Sequence, residues 1–174
     1  EAQPQLGQAN KGNEEVKEEP AHETNDVKKD RWGSKEITIK NVQILDEKCE
    51  DRNTFKCGEK IIIKIKYEKA KMEIEKPVFG IGIFRNDGIN CYGTNTLIDK
   101  VKDIKLKDSG EICCIIERMN LVEGHYMLDV AVHSEDGFPY DYIRGIREFD
   151  VYSEIKDVGV TRLEHRWILD DRSV

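Results

Sequence analysis

Long hydrophobic runs are missing from this sequence. No apolar stretch approaches the roughly 20 residues that a membrane-spanning helix requires, and no charged-then-apolar leader pattern opens the chain as given. A concentrated basic patch is missing as well. The 28 Lys and Arg are outnumbered by 35 Asp and Glu, for a formal net charge of -7, and the lysines are interleaved with acidic residues as on a solvated surface. Affinity for nucleic acid rests on Lys and Arg neutralising phosphates, so that class of partner is set aside. The cysteines lack any pairing pattern: Cys49, Cys57, Cys91, Cys113 and Cys114 make an odd set of 5 without a CxxC. That argues against a disulfide framework or a zinc site and for a reducing compartment. Cys49 and Cys57 flank a polar loop and could cross-link, whereas Cys113 and Cys114 fit a strand as small apolar filler. The histidines, His22, His125, His133 and His165, are scattered. No metal or cofactor is expected.

Catalytic signatures are absent in the same way. There is no GxxxxGK[ST], no HExxH and no GxSxG, and the glycines of GIGIFRNDG imitate a dinucleotide fingerprint without opening a helix. Acidic residues are plentiful, but glycoside hydrolysis needs two carboxylates at a fixed separation that a sequence does not display. The chain is read as non-catalytic, with a degenerate sugar-modifying enzyme as the remaining enzymatic alternative.

What is present divides into two textures. Residues 1–31 carry only Leu6, Val16, Val27 and a few alanines as apolar side chains. They bury too little surface to offset chain entropy and read as a linker or disordered arm. The chain starts at Glu1 without an initiator Met, so a piece of a longer protein is expected. Residues 32–174 switch to short β-rich runs separated by turn residues, the pattern of an all-β, two-layer antiparallel sandwich of about eight strands. In KEITIKNVQIL, Ile37 and Ile39 alternate inward until Asn41, where Val42 and Ile44 take over, as one extra residue at a β-bulge would cause. EKIIIKIKYEK puts Ile61, Ile63, Ile65 and Tyr67 on one face. Asn86-Asp87-Gly88 between VFGIGIFR and INCYGTNT predicts a hairpin, because Asp-Gly tolerates the positive φ of tight turns. EICCIIERM, HYMLDVAVHS, Tyr140 to Tyr152 with a phase change near Gly145, and GVTRLEHRW complete the strands.

The run VFGIGIF is unusual. Phe79, Ile81 and Ile83 form an ordinary core face, while the opposite face holds Gly80, Gly82 and Phe84. Sugars are recognised by aromatic rings covering their apolar faces, with a few placed polar groups holding the hydroxyls. A face bare at two glycines beside a ring therefore reads as a shallow groove, with Tyr92, Thr94 and Asn95 on the neighbouring strand. His133, Tyr142 and Arg144 are further polar candidates. The plainer alternatives are that the glycines serve a bend or close packing, that Tyr92 is a half-buried strand tyrosine, that Asn95 caps a turn, and that His133 is simply solvated. Tyr140, Asp141, Tyr142 and Arg144 could equally form a structural hydrogen-bonded rim such as a tyrosine corner.

Several ordered motifs carry a family resemblance: RWGSKEITI, ILDE, NTFKCGEKIIIKIKY, PVFGIGIFRNDGINCYGTNT and GVTRLEHRW. Over nearly all of Trp32 to Trp167 the chain resembles the C-terminal domain of Wzt-type proteins, the ATP-binding subunits of ABC exporters for O-antigen polysaccharide. The resemblance implies an immunoglobulin-like β-sandwich at the cytoplasmic face of the membrane, reached through the parent transporter. It further implies binding of the non-reducing end of a lipid-linked glycan, and a homodimer exchanging a last strand, here Gly159 to Trp167. On that reading Phe84 and Tyr92 stack on sugar rings, Thr94, Asn95, His133, Tyr142 and Arg144 supply polar contacts, and Arg85 or Arg144 meets any terminal phosphate. No cofactor and no nucleic acid are implied. The alternative is a protein–protein interaction or dimerisation module of the transporter without direct glycan contact.

Overall fold

A computed structural model describes residues 30–70, 73–169 and 172–173. The expected linker, 1–31, lies outside the described residues except for Asp30 and Arg31. Two sheets face each other. The larger contains β1 (Arg31–Trp32), β3 (Thr54–Lys56), β5 (Val78–Arg85), β6 (Asn90–Asn95), β8 (Gly124–His133) and β9 (Pro139–Tyr152), in the order β1-β9-β8-β5-β6. The short β3 runs parallel to the far end of β9, and the other pairs are antiparallel. The smaller sheet has the order β2 (Ile37–Leu45), β4 (Ile61–Lys69), β7 (Ser109–Ile116). A separate hairpin joins β10 (Ile168–Leu169) to β11 (Arg172–Ser173).

The core lies between the sheets and follows the period-2 alternation of each strand. Ile37, Ile39, Val42, Ile44, Ile61, Ile63 and Ile65 meet Phe79, Ile81, Ile83, Leu128, Val130 and Val132 in one buried cluster. Each such side chain contributes about 1.5–3 kcal/mol by leaving water. β2 keeps its apolar face inward on both sides of Asn41 because the register with β4 shifts between Ile39 and Asn41, as the change of phase predicts. The second expected phase change is a bulge too. Leu128 pairs with Arg147 and Val130 with Ile143, so Asp129 opposes the extra residues around Gly145, whose φ is 58°. The Asp-Gly turn also forms, with Gly88 at φ 85° and its N–H donating to the Arg85 carbonyl. At the other end of the larger sheet the Tyr126 hydroxyl donates to the Val122 carbonyl 2.8 Å away. A tyrosine-corner bond is thus made there, not in the Tyr140–Arg144 cluster.

One expected strand is not made. GVTRLEHRW forms a single bridge, Thr161 to Leu121, and otherwise runs as an irregular arm. Its alternation is strand-like, but a strand needs a neighbouring edge, and past Arg162 the arm makes no ladder with either sheet among the described residues. All five cysteines, Cys49 and Cys57 included, are free.

Candidate functional site

The outer face of the larger sheet is unusually bare. Register aligns Trp32 with Tyr142, Tyr142 with Ala131, Ala131 with Gly80 and Gly80 with Asn95. Side chains directly opposite share a face, so one rung across five strands reads ring, ring, methyl, hydrogen, amide. The next rung places Asp129 beside Gly82 and Gly82 beside Gly93. A floor of Gly80, Gly82, Gly93 and Ala131 is therefore walled by rings on one side and by the Asn95 edge on the other. The resulting hollow measures about 450 Å³ and is also lined by Phe84, Asn90, Thr94 and His133.

The glycines are not interchangeable. A Cβ on Gly82 would come 3.0 Å from the Phe84 ring, which folds back over that position. A Cβ on Gly80 would meet the Asn95 Cβ at 3.3 Å. Gly82 thus admits a protein ring, whereas Gly80 lets β6 sit close and keeps the centre of the floor open.

The wall of rings is set by the start of the described chain. Trp32 stacks on Tyr142 with centroids 4.2 Å apart and planes 11° from parallel, and the Arg144 guanidinium lies 5.6 Å from the Trp32 ring centre. Gly33 makes this approach possible, because at its φ of 124° a Cβ would lie 2.4 Å from the Tyr140 carbonyl oxygen. Arg31 fastens the other side of Trp32, since its Nε and Nη2 donate to the two oxygens of Asp141 at 2.9 and 2.6 Å. Asp141 is fully buried, and it also accepts from Lys35 and from the Ile39 N–H. Burial alone would push this carboxyl up, but the hydrogen bonds from Arg31, Lys35 and the Ile39 N–H outweigh it and hold the group below its ordinary range.

Inside the hollow, Asp129 is the central polar group. It is nearly buried, and it accepts from the Tyr142 hydroxyl at 2.9 Å and from the Gly145 N–H at 2.7 Å. Burial, and then the Asp129 carboxylate, push the Tyr142 phenol up to about 12, so it stays a donor. His133 Nδ1 sits 2.7 Å from the Ser134 carbonyl and so donates to it, which turns Nε2 toward other partners. Asn95 Oδ1 accepts from the Ile98 N–H at 2.7 Å, leaving its NH₂ to donate. Rings beside small residues, with a few oriented polar groups, can hold a flat, hydroxyl-bearing molecule. Among the described residues no cluster suits a metal ion.

A second depression, of about 930 Å³, lies between segments 73–78 and 96–106, where lysines and glutamates of both signs surround Ile74, Val101 and Leu106. No aromatic ring lines it among the described residues. We therefore take the smaller hollow as the candidate site.

A family model, described as the Wzt C-terminal domain, matches residues 28–163. The chain belongs to that family. Among curated proteins it is similar to the O-antigen export system ATP-binding protein RfbB of Myxococcus xanthus, with 25% identity over 138 residues. That alignment covers 77% of this chain but only 30% of the relative's length. Among solved structures, the crystal structure of the C-terminal domain of wzt superposes with a TM-score of 0.74 at 19% identity, covering 82% of this chain and 89% of that one. That likeness shows that the β-sandwich is the fold of the Wzt C-terminal domain.

In this family member, Phe84, Thr94, Asn95, His133 and Tyr142 of the residues expected from the sequence come together around the hollow. Tyr92 does not line it. Register places Tyr92 opposite Ile83, on the other side of the sheet from Gly82, because the bulge between Ile83 and Phe84 resets the phase of β6. Thr94 likewise pairs with Ile81, and its hydroxyl donates to Asp99 at 3.0 Å. Arg144 stands behind Trp32, 3.7 Å from Asp30. Arg85 is taken by Asp87 at 2.6 Å and the Gly159 carbonyl at 3.0 Å, so neither arginine lines the hollow. Sequence reasoning missed Trp32 and Asp129. Trp32 was read as the first residue after a linker. The signal was there in Arg-Trp-Gly, a large ring outside any apolar alternation followed by a glycine that permits close approach.

Proposed function

We propose that this domain recognises the non-reducing terminal region of a lipid-linked surface polysaccharide and selects it for export by an ABC transporter. The observation that carries this reading is the Trp32–Tyr142 stack standing over a floor of Gly80, Gly82 and Ala131. Rings cover the apolar faces of sugars, and a floor without side chains leaves space for the pyranose. The Myxococcus relative is part of an O-antigen export system, which supplies the substrate class. The ATP-driven step belongs to a nucleotide-binding part that this segment does not contain, and the domain works as a binding module at the cytoplasmic face without catalysis of its own.

The test is isothermal titration of the domain with oligosaccharides released from the non-reducing end of the host polysaccharide, compared with the same chains lacking the terminal residue. Binding should require the terminal residue. Equal binding of both, or unchanged affinity in Trp32→Ala, would move the site elsewhere.

A dimer through the C-terminal arm is part of this proposal. Leu163 and Trp167 are 72% and 73% exposed on an arm whose backbone pairing with its own fold, among the described residues, is confined to the turn around Thr161. Exchange of such a segment between two copies buries it at little cost. The transporter's membrane subunit is the further partner expected through the parent protein.

A further inference from the structure

We infer that the hollow accepts an uncharged sugar end and rejects one carrying a phosphate or carboxylate. This rests on the glycan reading above and concerns which glycans qualify. Among the described residues that line the hollow there is no lysine or arginine. The charged side chain in its floor is Asp129, 3% exposed, and its two recorded partners, the Tyr142 hydroxyl and the Gly145 N–H, are neutral. A carboxylate held by neutral donors keeps its field, and that field is weakly screened where water is excluded. An anionic group entering over Gly82 would stand next to it.

Hydrogen-bond bookkeeping points the same way. Asp129 retains lone pairs beyond the two it uses, and His133, whose Nδ1 is turned to the Ser134 carbonyl, offers Nε2 as an acceptor in its neutral form. Against these the lining side chains offer as donors the amides of Asn95 and Asn90 and the indole N–H of Trp32, none of them charged. A surface that holds a carboxylate and no cationic donor suits the hydroxyl hydrogens of a neutral sugar, whereas a phosphate or carboxylate brings acceptors and no hydrogens. The arginines that could offset this are engaged outside the hollow, Arg85 with Asp87 and Arg144 over Trp32 beside Asp30.

The experiment uses matched oligosaccharides ending in a neutral hexose, a 6-deoxyhexose or an N-acetylhexosamine, and the same chains ending in a hexuronic acid or a hexose 6-phosphate. They are screened on an array and the bound members titrated at pH 8. Binding should be confined to neutral ends, with a loss of about tenfold or more when the anion is introduced. In Asp129→Asn the discrimination should shrink severalfold. Asn90→Lys, at an exposed rim position, should shrink it as well and serves if the first variant fails to fold. Anionic ends bound as tightly as neutral ones overturn this inference and leave the glycan reading standing. A discrimination that neither folded variant changes overturns the role given to Asp129. Binding of neither class overturns the glycan reading and this inference with it.

Discussion

Trp32 is 41% exposed, so little of the core depends on it, and its loss should be felt mainly by a ligand. Replacing it with alanine removes a stacking face, and stacking of a flat ring on an aromatic side chain is worth about 1–3 kcal/mol in the comparable case of nucleic-acid bases. We expect Trp32→Ala to weaken glycan binding by that amount in calorimetry. Stability, read by thermal or denaturant unfolding, should fall only as far as loss of the Tyr142 contact requires, about 0.5–1.5 kcal/mol. A large fall in stability with unchanged affinity would make Trp32 a structural residue. Ala131 offers the complementary test, because its methyl lies in the floor between Tyr142 and Gly80. Ala131→Leu should fill the hollow and abolish binding while the domain still melts cooperatively. Retained binding would mean that the sugar sits elsewhere on this face.

The two-residue strand β1 is what turns a loose tryptophan into a wall of the site, and it is held by Gly33 and by the buried Asp141. A side chain at Gly33 meets the β9 backbone, and a non-glycine residue at such a φ costs on the order of 1–3 kcal/mol. Gly33→Ala should therefore release β1 and reduce glycan affinity together with stability, with a larger loss of stability than Trp32→Ala brings. Asp141 gives the clamp a pH dependence. Its folded-state carboxyl titrates below the ordinary value of about 3.9, so its stabilisation is complete above about pH 4 and is lost as pH falls through the folded-state value, the unfolded chain taking up the proton first. Removing the carboxylate should cost about 2–3 kcal/mol at pH 7, the scale of hydrogen bonds to a charged group. In denaturant titrations the gap between wild type and Asp141→Ala should narrow between pH 5 and pH 2, and a gap independent of pH would refute the clamp. These long-range ties explain what the sequence could and could not reveal. The bulges at Asn41 and Gly145 and the Asp-Gly hairpin were readable because alternation and turn chemistry are local. β1 was not, because two residues carry no periodicity, and Asp141 joins Arg31 over 110 positions. Phe84 lies on the groove side, where its alternation with the two glycines puts it, whereas Tyr92 lies off it because a one-residue bulge in β6 flips every later side chain and leaves no mark in the residue types.

At the scale of the whole molecule, the sandwich closes its core without using its last described segment. Leu163, Trp167, Ile168 and Leu169 are all more than half exposed, and each would contribute about 1.5–3 kcal/mol if fully buried. On the proposed exchange, the alternation that makes 159–167 look like a strand would serve a pair of chains, since a strand exists only beside an edge. The smaller sheet ends in β7, where Ile115 is 51% exposed and Cys113 is also exposed, and such an edge with apolar neighbours invites an added strand. We expect the domain to sediment as a dimer at micromolar concentration. Leu163→Asp combined with Trp167→Asp should yield a monomer, because charges at both positions would have to be desolvated in the exchanged arrangement. The monomeric variant should keep a cooperative melt and the neutral-glycan site, since Trp32, Tyr142 and Asp129 lie on the opposite sheet from β7. A wild-type domain that stays monomeric at high micromolar concentration would leave the arm without a partner in this chain. A double variant that remains dimeric would place the contact between copies on another surface.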